Sequence, residues 1–417
     1  SIDGVHGTAF VLGMQTPSHI SRTCKFPPEA DITVLSWNIL APTWANPLRY
    51  AHVNPAILSW ERRHQAIIDE LSQSASDIVC LQEVEFSLFD EDLFPALVSL
   101  GYYGVIQKDS KRSVDHPAGN ATFWLDDKFR LEHEHSRSRT LTTLLLDASG
   151  RGVAVVNCHL EGAPREAVTR VKQLQSTLRQ TAPLRHQALI VTGDFNCDLR
   201  SSASAAYLAF GAVPVGVQEW GIDVPPAVSD VPPHGYSLAS AYGADLCDEF
   251  SFTVRGTSVW FLDQMWYSPS SLQAMATRST FRHAEHRCAV MQHGLPSATD
   301  PSDHLPIAAA FRWVCDMPPD LISGDDALAG SAPAPTSDPA KEAEELLAAC
   351  PLSDVHRAEW LRVSKLPLQK KQKPSPEEVA ELKELQRQKE LLLADVSEEA
   401  RSILVRVQQL MRKARKA

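Results

Sequence analysis

Apolar positions along the chain follow two alternating rhythms. Short runs rich in β-branched and aromatic residues, ITVLSWNIL, DIVCLQEV, VAVVNCHL and ALIVTGDFN, are separated by longer stretches with helical spacing, WERRHQAIIDELSQ and REAVTRVKQLQSTLRQ. In the helix that begins near Arg165, Val168, Val171, Leu174 and Leu178 share one face, as a helix covering a sheet requires. This alternation predicts a layered α/β domain from about Asp31 to Trp313. Its last strand opens oddly. In SATDPSDHLPIAAAF, residues 297–311, Asp303 and His304 stand immediately before an apolar run, where an unpartnered charge is costly.

Beyond that strand the pattern changes. The Pro-, Ala-, Ser- and Asp-rich residues 316–340 have little to bury and read as a linker. Residues 341–417 are helix-forming, interrupted by prolines at KLPLQKKQKPSP. Ser375, Pro376 and Glu378 supply an N-cap, a first-turn proline and a capping-box acid. The apolar Val379, Leu382, Leu385, Leu391, Ile403, Leu404, Val407 and Leu410 then outline a helical hairpin. It suits packing on its own domain as well as docking a protein partner or self-association, and the basic end Arg412, Lys413, Arg415, Lys416 suits RNA or plain solvation. The division expected is an N-terminal extension 1–30, a domain 31–315, the linker 316–340 and a helical extension 341–417.

Composition narrows the class. With 417 residues, 44% apolar and 22% charged, the chain is that of a soluble globular protein. It has no apolar run of about 18 residues for a membrane span and no signal-peptide pattern. A net charge of −11 excludes a broadly basic nucleic-acid-coating protein, though not an enzyme that meets phosphate through a metal ion. Eight scattered cysteines without a C-x-x-C pair predict reduced, buried thiols in an intracellular compartment.

Candidate chemistry sits at strand ends: Asn38 in LSWNIL, Glu83 in CLQEV, His159 in VVNCHL, and Asp194 with Asn196 in VTGDFN. Singly, Glu83 reads as a solvated acid, His159 as a core histidine and Asn38 as a turn cap. Gly193 permits a close backbone approach, and Asp194 and Asn196 alternate to one side of the strand. With Asp263 in WFLDQMWYS and the Asp303–His304 pair, the set reads as one site, because strand ends of layered α/β domains converge. Phosphate-ester hydrolysis needs a divalent cation, a polarised water in line with phosphorus, and donors for the equatorial oxygens. A hard oxygen ligand such as Glu83 suits Mg²⁺, with Mn²⁺ as an alternative. A histidine held by an acid, His304 by Asp263, keeps one tautomer and faces the phosphate as imidazolium or strong donor.

These residues and their surroundings resemble the endonuclease/exonuclease/phosphatase superfamily, and within it the deadenylase-like branch of the carbon catabolite repression deadenylases, nocturnin, the angel proteins and the 2′,5′-phosphodiesterase. The resemblance rests on LSWNILAPTWA, LSWERRHQAIIDEL, DIVCLQEVE, PALVSLGYYGV, HGYSLASAY and PSDHLPIAAAF, in that order. It implies a four-layer α/β sandwich, two mixed β-sheets flanked by helices. It also implies Asn38 and Glu83 at the metal, Glu83 as direct ligand, with Asp303 close to the ion. Asp194 would orient or deprotonate the attacking water, Asn196 would contact the phosphate or leaving group, His159 would bind the phosphate, and Asp263 would orient His304.

Departures from the branch concern the substrate. Gln264 follows Asp263 where relatives have an aromatic residue. Val254 in TVRG stands where the deadenylases stack an aromatic residue on a base, which leaves Trp260, Phe252 or Trp124 to compensate. Gly119–Asn120–Ala121–Thr122 replaces the usual metal loop, and SRSRTL brings Arg137 and Arg139 where a substrate-contacting Asn is common, which suits an extra phosphate or only a solvated turn. The function expected is a Mg²⁺-dependent phosphodiesterase of RNA, a 3′-end exoribonuclease. The alternatives are a phosphatase of a nucleotide 2′-phosphate or 2′,3′-cyclic RNA end, and a non-catalytic interaction protein that keeps the fold.

Overall fold

A computed structural model of the chain describes residues 17–108, 117–243, 249–256 and 258–314. The expected linker 316–340 and helical extension 341–417, with their caps and hairpin, lie outside the described residues. The chain divides into two compact units, residues 1–125 with 133–317, and residues 126–132 with 318–417; of the second, only 126–132 is described.

In chain order the first strands are β1 (Ser18–Ile20), β2 (Ile32–Asn38), β3 (Ile78–Glu85), β4 (Tyr102–Ile106), β5 (Ala118–Leu125), β6 (Phe129–Ser136) and β7 (Thr140–Asp147). There follow β8 (Gly152–His159), β9 (Ala188–Asp194), the short β10 (Gln218–Glu219), β11 (Ile222–Asp223) and β12 (Ala239–Ser240), then β13 (Asp263–Tyr267), β14 (Leu272–Arg278) and β15 (Ile307–Trp313). The α-helices are α1 (Trp60–Ser74), α2 (Phe86–Leu88), α3 (Phe94–Ser99), α4 (Ala167–Thr181), α5 (Ala203–Phe210) and α6 (Ala284–His293). One sheet runs β1-β14-β15-β2-β3-β5-β4 and the other β12-β13-β9-β8-β7-β6; β10 and β11 form a separate ribbon. Both large sheets are mixed, with β2–β3 and β8–β9 parallel among antiparallel neighbours.

The expected layers follow from strand periodicity. Leu35, Trp37, Val79 and Leu81 pack with Ile67 and Leu71 of α1 and Leu97 of α3. Ala154, Val156, Leu189 and Val191 pack with Val171, Leu174 and Leu178 of α4 and with α5. The alternate residues, Ser36, Asn38, Gln82, Asn157, His159, Thr192 and Asp194, therefore face the opposite sheet. Two of them stitch the sheets together: Gln82 Nε2 donates to Asn157 Oδ1 at 2.8 Å, and Asn157 Nδ2 donates to Ala121 O at 2.9 Å. The strands are buried on both faces, which explains their near-continuous apolar character.

Two expectations shift. Ser18–Ile20, in the segment read as an extension, pairs in parallel with β14 and forms the edge of the first sheet. Cys80, Cys158 and Cys197 are buried free thiols, but Cys24, before β2, and Cys288, on α6, are exposed. Among the described residues no helix is long and apolar enough to cross a membrane.

Candidate active site

Strand register brings the polar ends together. Asn38 closes β2, His159 closes β8 and Asp194 closes β9; Asp194 is the ladder partner of His159 on one side and of Asp263, the first residue of β13, on the other. Gly193 makes the β8–β9 approach possible. At φ +139° its place is closed to side chains, and a Cβ there would lie 2.0 Å from the Cys158 carbonyl oxygen. Asn38 bridges the two sheets, its Nδ2 donating to Glu83 Oε1 at 2.9 Å and to Asp194 Oδ2 at 3.0 Å. The other Glu83 oxygen accepts the Ala41 N–H at 3.0 Å. His159 Nε2 lies 3.7 Å from Asp194 Oδ2 and 4.0 Å from Glu83 Oε1.

Glu83 reaches this centre through a break in periodicity. Strict alternation along β3 would turn it, one residue after the inward Gln82, toward the helices. Instead φ at Glu83 is 58° and the β3–β5 register shifts between Leu81 and Val84, a bulge that re-aims the side chain.

His304 Nδ1 donates to Asp263 Oδ2 at 2.8 Å, and its Nε2 faces Asp194 Oδ2 at 3.6 Å. Burial opposes charge on the ring, but Asp263 and then Asp194 overcome it, and the imidazole is raised from 6.5 to about 10. Burial likewise pushes the Asp263 carboxyl upward against the attraction of His304. With two carboxylates flanking one ring, the state that fits is imidazolium at neutral pH. The loop before β15 is fixed from below: Trp37 Nε1 donates to His304 O at 2.9 Å, Ser302 Oγ to Asn38 O at 2.6 Å.

Several contributors escaped the sequence reading. Tyr50 is fully buried and its hydroxyl donates to Asp303 Oδ2 at 2.7 Å; burial and then Asp303 raise its phenol, so it stays a donor. Arg63 of α1 is 1% exposed and donates to the carbonyls of Leu40, Ile39 and Pro301, clamping the loops after β2 and before β15. Arg170 of α4, also buried, bonds the carbonyls of Glu161 and Ala163 at 2.7 Å each and pairs with buried Glu219, tying the loop after His159 to the β10–β11 ribbon. Both arginines had a signal: each sits on an apolar stripe, Arg63 with Ile67 and Leu71, Arg170 with Leu174 and Leu178.

Other expectations are corrected. Asn196 does not continue the strand: β9 ends at Asp194, and Asn196, at φ 51°, donates its backbone N–H to Asp194 Oδ1 at 2.8 Å and its amide to Leu160 O at 3.0 Å. Gly119–Thr122 is no loop but part of β5, and Asn120 donates inward to Arg139 O and Asn157 O. Trp124 is 1% exposed and cannot stack on a base. Gln264 is buried, donating to Cys197 O and accepting from Trp266 Nε1. Arg139 pairs with Glu161 at 3.0 Å.

Phe252 and Trp260 do lie at the site. Phe252 is a bridge partner of both His304 and Trp260, so the three side chains share a face. The Phe252 and His304 ring centroids are 4.7 Å apart, and Trp260 meets Trp220 edge-on at 4.6 Å. A row of partly exposed aromatic rings thus runs outward from the buried imidazole.

Comparison with known proteins shows the family. The model of the endonuclease/exonuclease/phosphatase family matches residues 35–304. The chain belongs to that family. Relatives of this family member include the Ccr4 3′-5′-exoribonuclease subunit of the CCR4-Not complex from Candida albicans, 28% identical over 341 residues, covering 69% of this chain and 42% of that protein. Human 2′,5′-phosphodiesterase 12 is 25% identical over 340 residues, covering 70% of this chain and 53% of that protein. The chain therefore spans about half the length of these curated relatives or less. Among solved structures, ANGEL2, a 2′,3′-cyclic phosphatase in complex with adenosine-2′,3′-vanadate, superposes with TM-score 0.58 at 25% identity, covering 68% of this chain and 95% of that one. These relatives are of the deadenylase-like branch to which the motifs pointed.

Proposed function

We propose that this domain hydrolyses RNA phosphodiester bonds with a divalent cation, Mg²⁺ or Mn²⁺, as an exonuclease acting from the 3′ end. The observation that carries the reading is a buried imidazole, His304, placed between Asp263 and Asp194, with Asp194 joined through Asn38 to Glu83. The names of the relatives support it, and the aromatic row beside His304 supports a substrate with unpaired bases.

Among the described residues no three His, Cys, Asp or Glu side chains form a metal cage. Mg²⁺ asks for less, one or two carboxylates with the remaining positions filled by water and substrate. Glu83 fits as that ligand with Asp303 beside the ion, since the carboxylates gathered at this centre call for a counter-cation. When bound, the cation neutralises charge developing on the phosphate. Asp194 orients the attacking water and accepts its proton, Asn38 holds Asp194 and Glu83 in register, and His304 donates to a phosphate oxygen from its Nε2 side. His159 and Asn196 contact the phosphate and leaving group. Buried free thiols support an intracellular, reducing compartment.

A second reading is favoured by the likeness to ANGEL2: removal of a 2′,3′-cyclic phosphate from an RNA end. One experiment separates them. The full chain with Mg²⁺ is incubated with end-labelled poly(A), mixed-sequence RNA, 2′,3′-cyclic-phosphate RNA and DNA, beside His304→Ala. Stepwise shortening from the 3′ end, absent in the variant, is expected; loss of the cyclic phosphate without shortening favours the second reading, and no turnover on any RNA refutes both.

A further inference from the structure

The loop between β2 and α1 carries a cation that the chemistry above leaves without a role. Arg49 is anchored through its backbone, donating its N–H to Asn46 Oδ1 at 2.9 Å, while the next residue, Tyr50, is buried against Asp303. The Arg49 side chain is 50% exposed, yet its guanidinium lies 3.5 Å from Asp303 Oδ2 and 5.4 Å from the Tyr50 ring centroid. Asp303 Oδ2 does not depend on it, since the Tyr50 hydroxyl already occupies that oxygen at the shorter distance of 2.7 Å. A guanidinium has five donors, and Arg49 commits one of them at long range.

Two other arginines near the centre are committed: Arg63 is buried and donates to backbone carbonyls, and Arg139 is paired with Glu161. Arg49 combines a mostly uncommitted fork of donors, solvent access and a place beside Asp303 and within the field of Glu83. A phosphodiester entering such an acidic centre gains from a cation beyond the metal and His304, and a planar guanidinium matches two non-bridging phosphate oxygens.

We infer that Arg49 is a substrate-contacting residue, its guanidinium donating to the non-bridging oxygens of the phosphate brought to Glu83, Asp194 and His304. The inference rests on the phosphodiesterase reading for the identity of that phosphate. Its test does not need turnover. The full chain, Arg49→Ala and Arg49→Lys are titrated calorimetrically with inorganic phosphate in the presence of Mg²⁺, and separately with Mg²⁺ alone; thermal unfolding controls for the fold. Loss of a charge-assisted contact should weaken phosphate binding at least about tenfold in Arg49→Ala, with partial recovery in Arg49→Lys, while Mg²⁺ affinity and the unfolding midpoint stay unchanged. Unchanged phosphate binding in Arg49→Ala overturns the inference. So does a changed Mg²⁺ affinity that accounts for the whole effect, because Arg49 would then act only by positioning Asp303. Hydrolysis of RNA by the parent chain is scored independently, so a failure of the phosphodiesterase reading is not mistaken for a failure of Arg49.

Discussion

Replacing Asp263 with asparagine isolates the charge on His304. The amide oxygen at position 263 can still accept the Nδ1–H, now at 2.8 Å from the carboxylate, so orientation is preserved while one of the two negative neighbours is removed. In the parent the ring is raised from 6.5 to about 10, roughly 5 kcal/mol of preference for imidazolium at about 1.4 kcal/mol per tenfold in proton affinity. Burial opposes this, so the neighbouring carboxylates, Asp263 first, then Asp194 and Asp303, together supply more than the net value. Removing an opposite charge at contact distance should lower the ring by about one to three pKa units. The sign follows from linkage: because the folded value lies above the unfolded one, the stabilisation from the imidazolium is complete below pH 6.5 and is lost as pH rises through about 10. In Asp263→Asn that loss moves to lower pH. The assay is an NMR titration of the imidazole resonances, assigned with His304→Gln, beside the pH profile of kcat, whose alkaline limb should move down by the same one to three units. A parent ring that titrates near 6.5, or a variant ring that still titrates near 10, refutes the reasoning.

Other substitutions probe other parts. In Glu83→Gln one donor, Asn38 Nδ2 or Ala41 N, would meet an amide N–H; the half-saturating Mg²⁺ concentration for hydrolysis should rise at least about tenfold, with circular dichroism unchanged, and an unaltered Mg²⁺ curve would remove Glu83 from the metal. Trp260→Ala should weaken unpaired RNA by about 1–3 kcal/mol, read as KM, and leave a small phosphodiester without a base unaffected; equal effects on both would argue against stacking. Glu219→Ala strips the buried Arg170 guanidinium of its carboxylate and the start of α5 of its acceptor, and urea denaturation should report a loss of about 3–5 kcal/mol. Gly193→Ala forces a methyl into the Cys158 carbonyl, and a variant that keeps both its stability and its turnover would contradict the described β8–β9 approach.

Much of the frame was legible because strands buried on both faces announce themselves as apolar runs, and a polar residue closing such a run stands out. Asn38, His159 and Asp194 are of this kind, and periodicity also found the α4 face of Val171, Leu174 and Leu178. What stayed hidden depends on pairing between distant segments. Tyr50 and Arg49 come from an irregular loop whose course no local pattern dictates, and they matter only because Asp303, more than 250 positions on, lies against them. Gln82 and Asn157 look like interruptions of their strands until the two sheets face each other. The choice among Trp124, Phe252 and Trp260 needed the strand faces, which leave Trp124 inside and put the other two beside His304.

Backbone conformation adds a step that neither motif nor periodicity contains. Among the described residues, Leu40, Ala75, Glu83, Asn196 and Trp220 are the non-glycine residues with positive φ. Ala75 ends helix α1, an ordinary use of the left-handed region. The other four surround the candidate site. Leu40 receives its turn from the Asn38 side chain, whose Oδ1 accepts the Leu40 N–H at 3.0 Å; Glu83 sits at the bulge within β3 and Asn196 just past the end of β9; and Trp220 presents its ring to Trp260. Left-handed backbone at a residue with a side chain costs of order 1–3 kcal/mol, and such strain persists where surrounding contacts over-determine it. Here the contacts are visible: Arg63 clamps the Leu40 carbonyl, the Ala41 N–H holds the Glu83 carboxylate, Asp194 receives the Asn196 N–H, and the Arg170–Glu219 pair fixes the ribbon bearing Trp220. The two arginines on apolar helix stripes therefore act as braces for a strained rim, and the rim in turn aims the carboxylate of Glu83 at the centre that Asn38, Asp194 and His304 share.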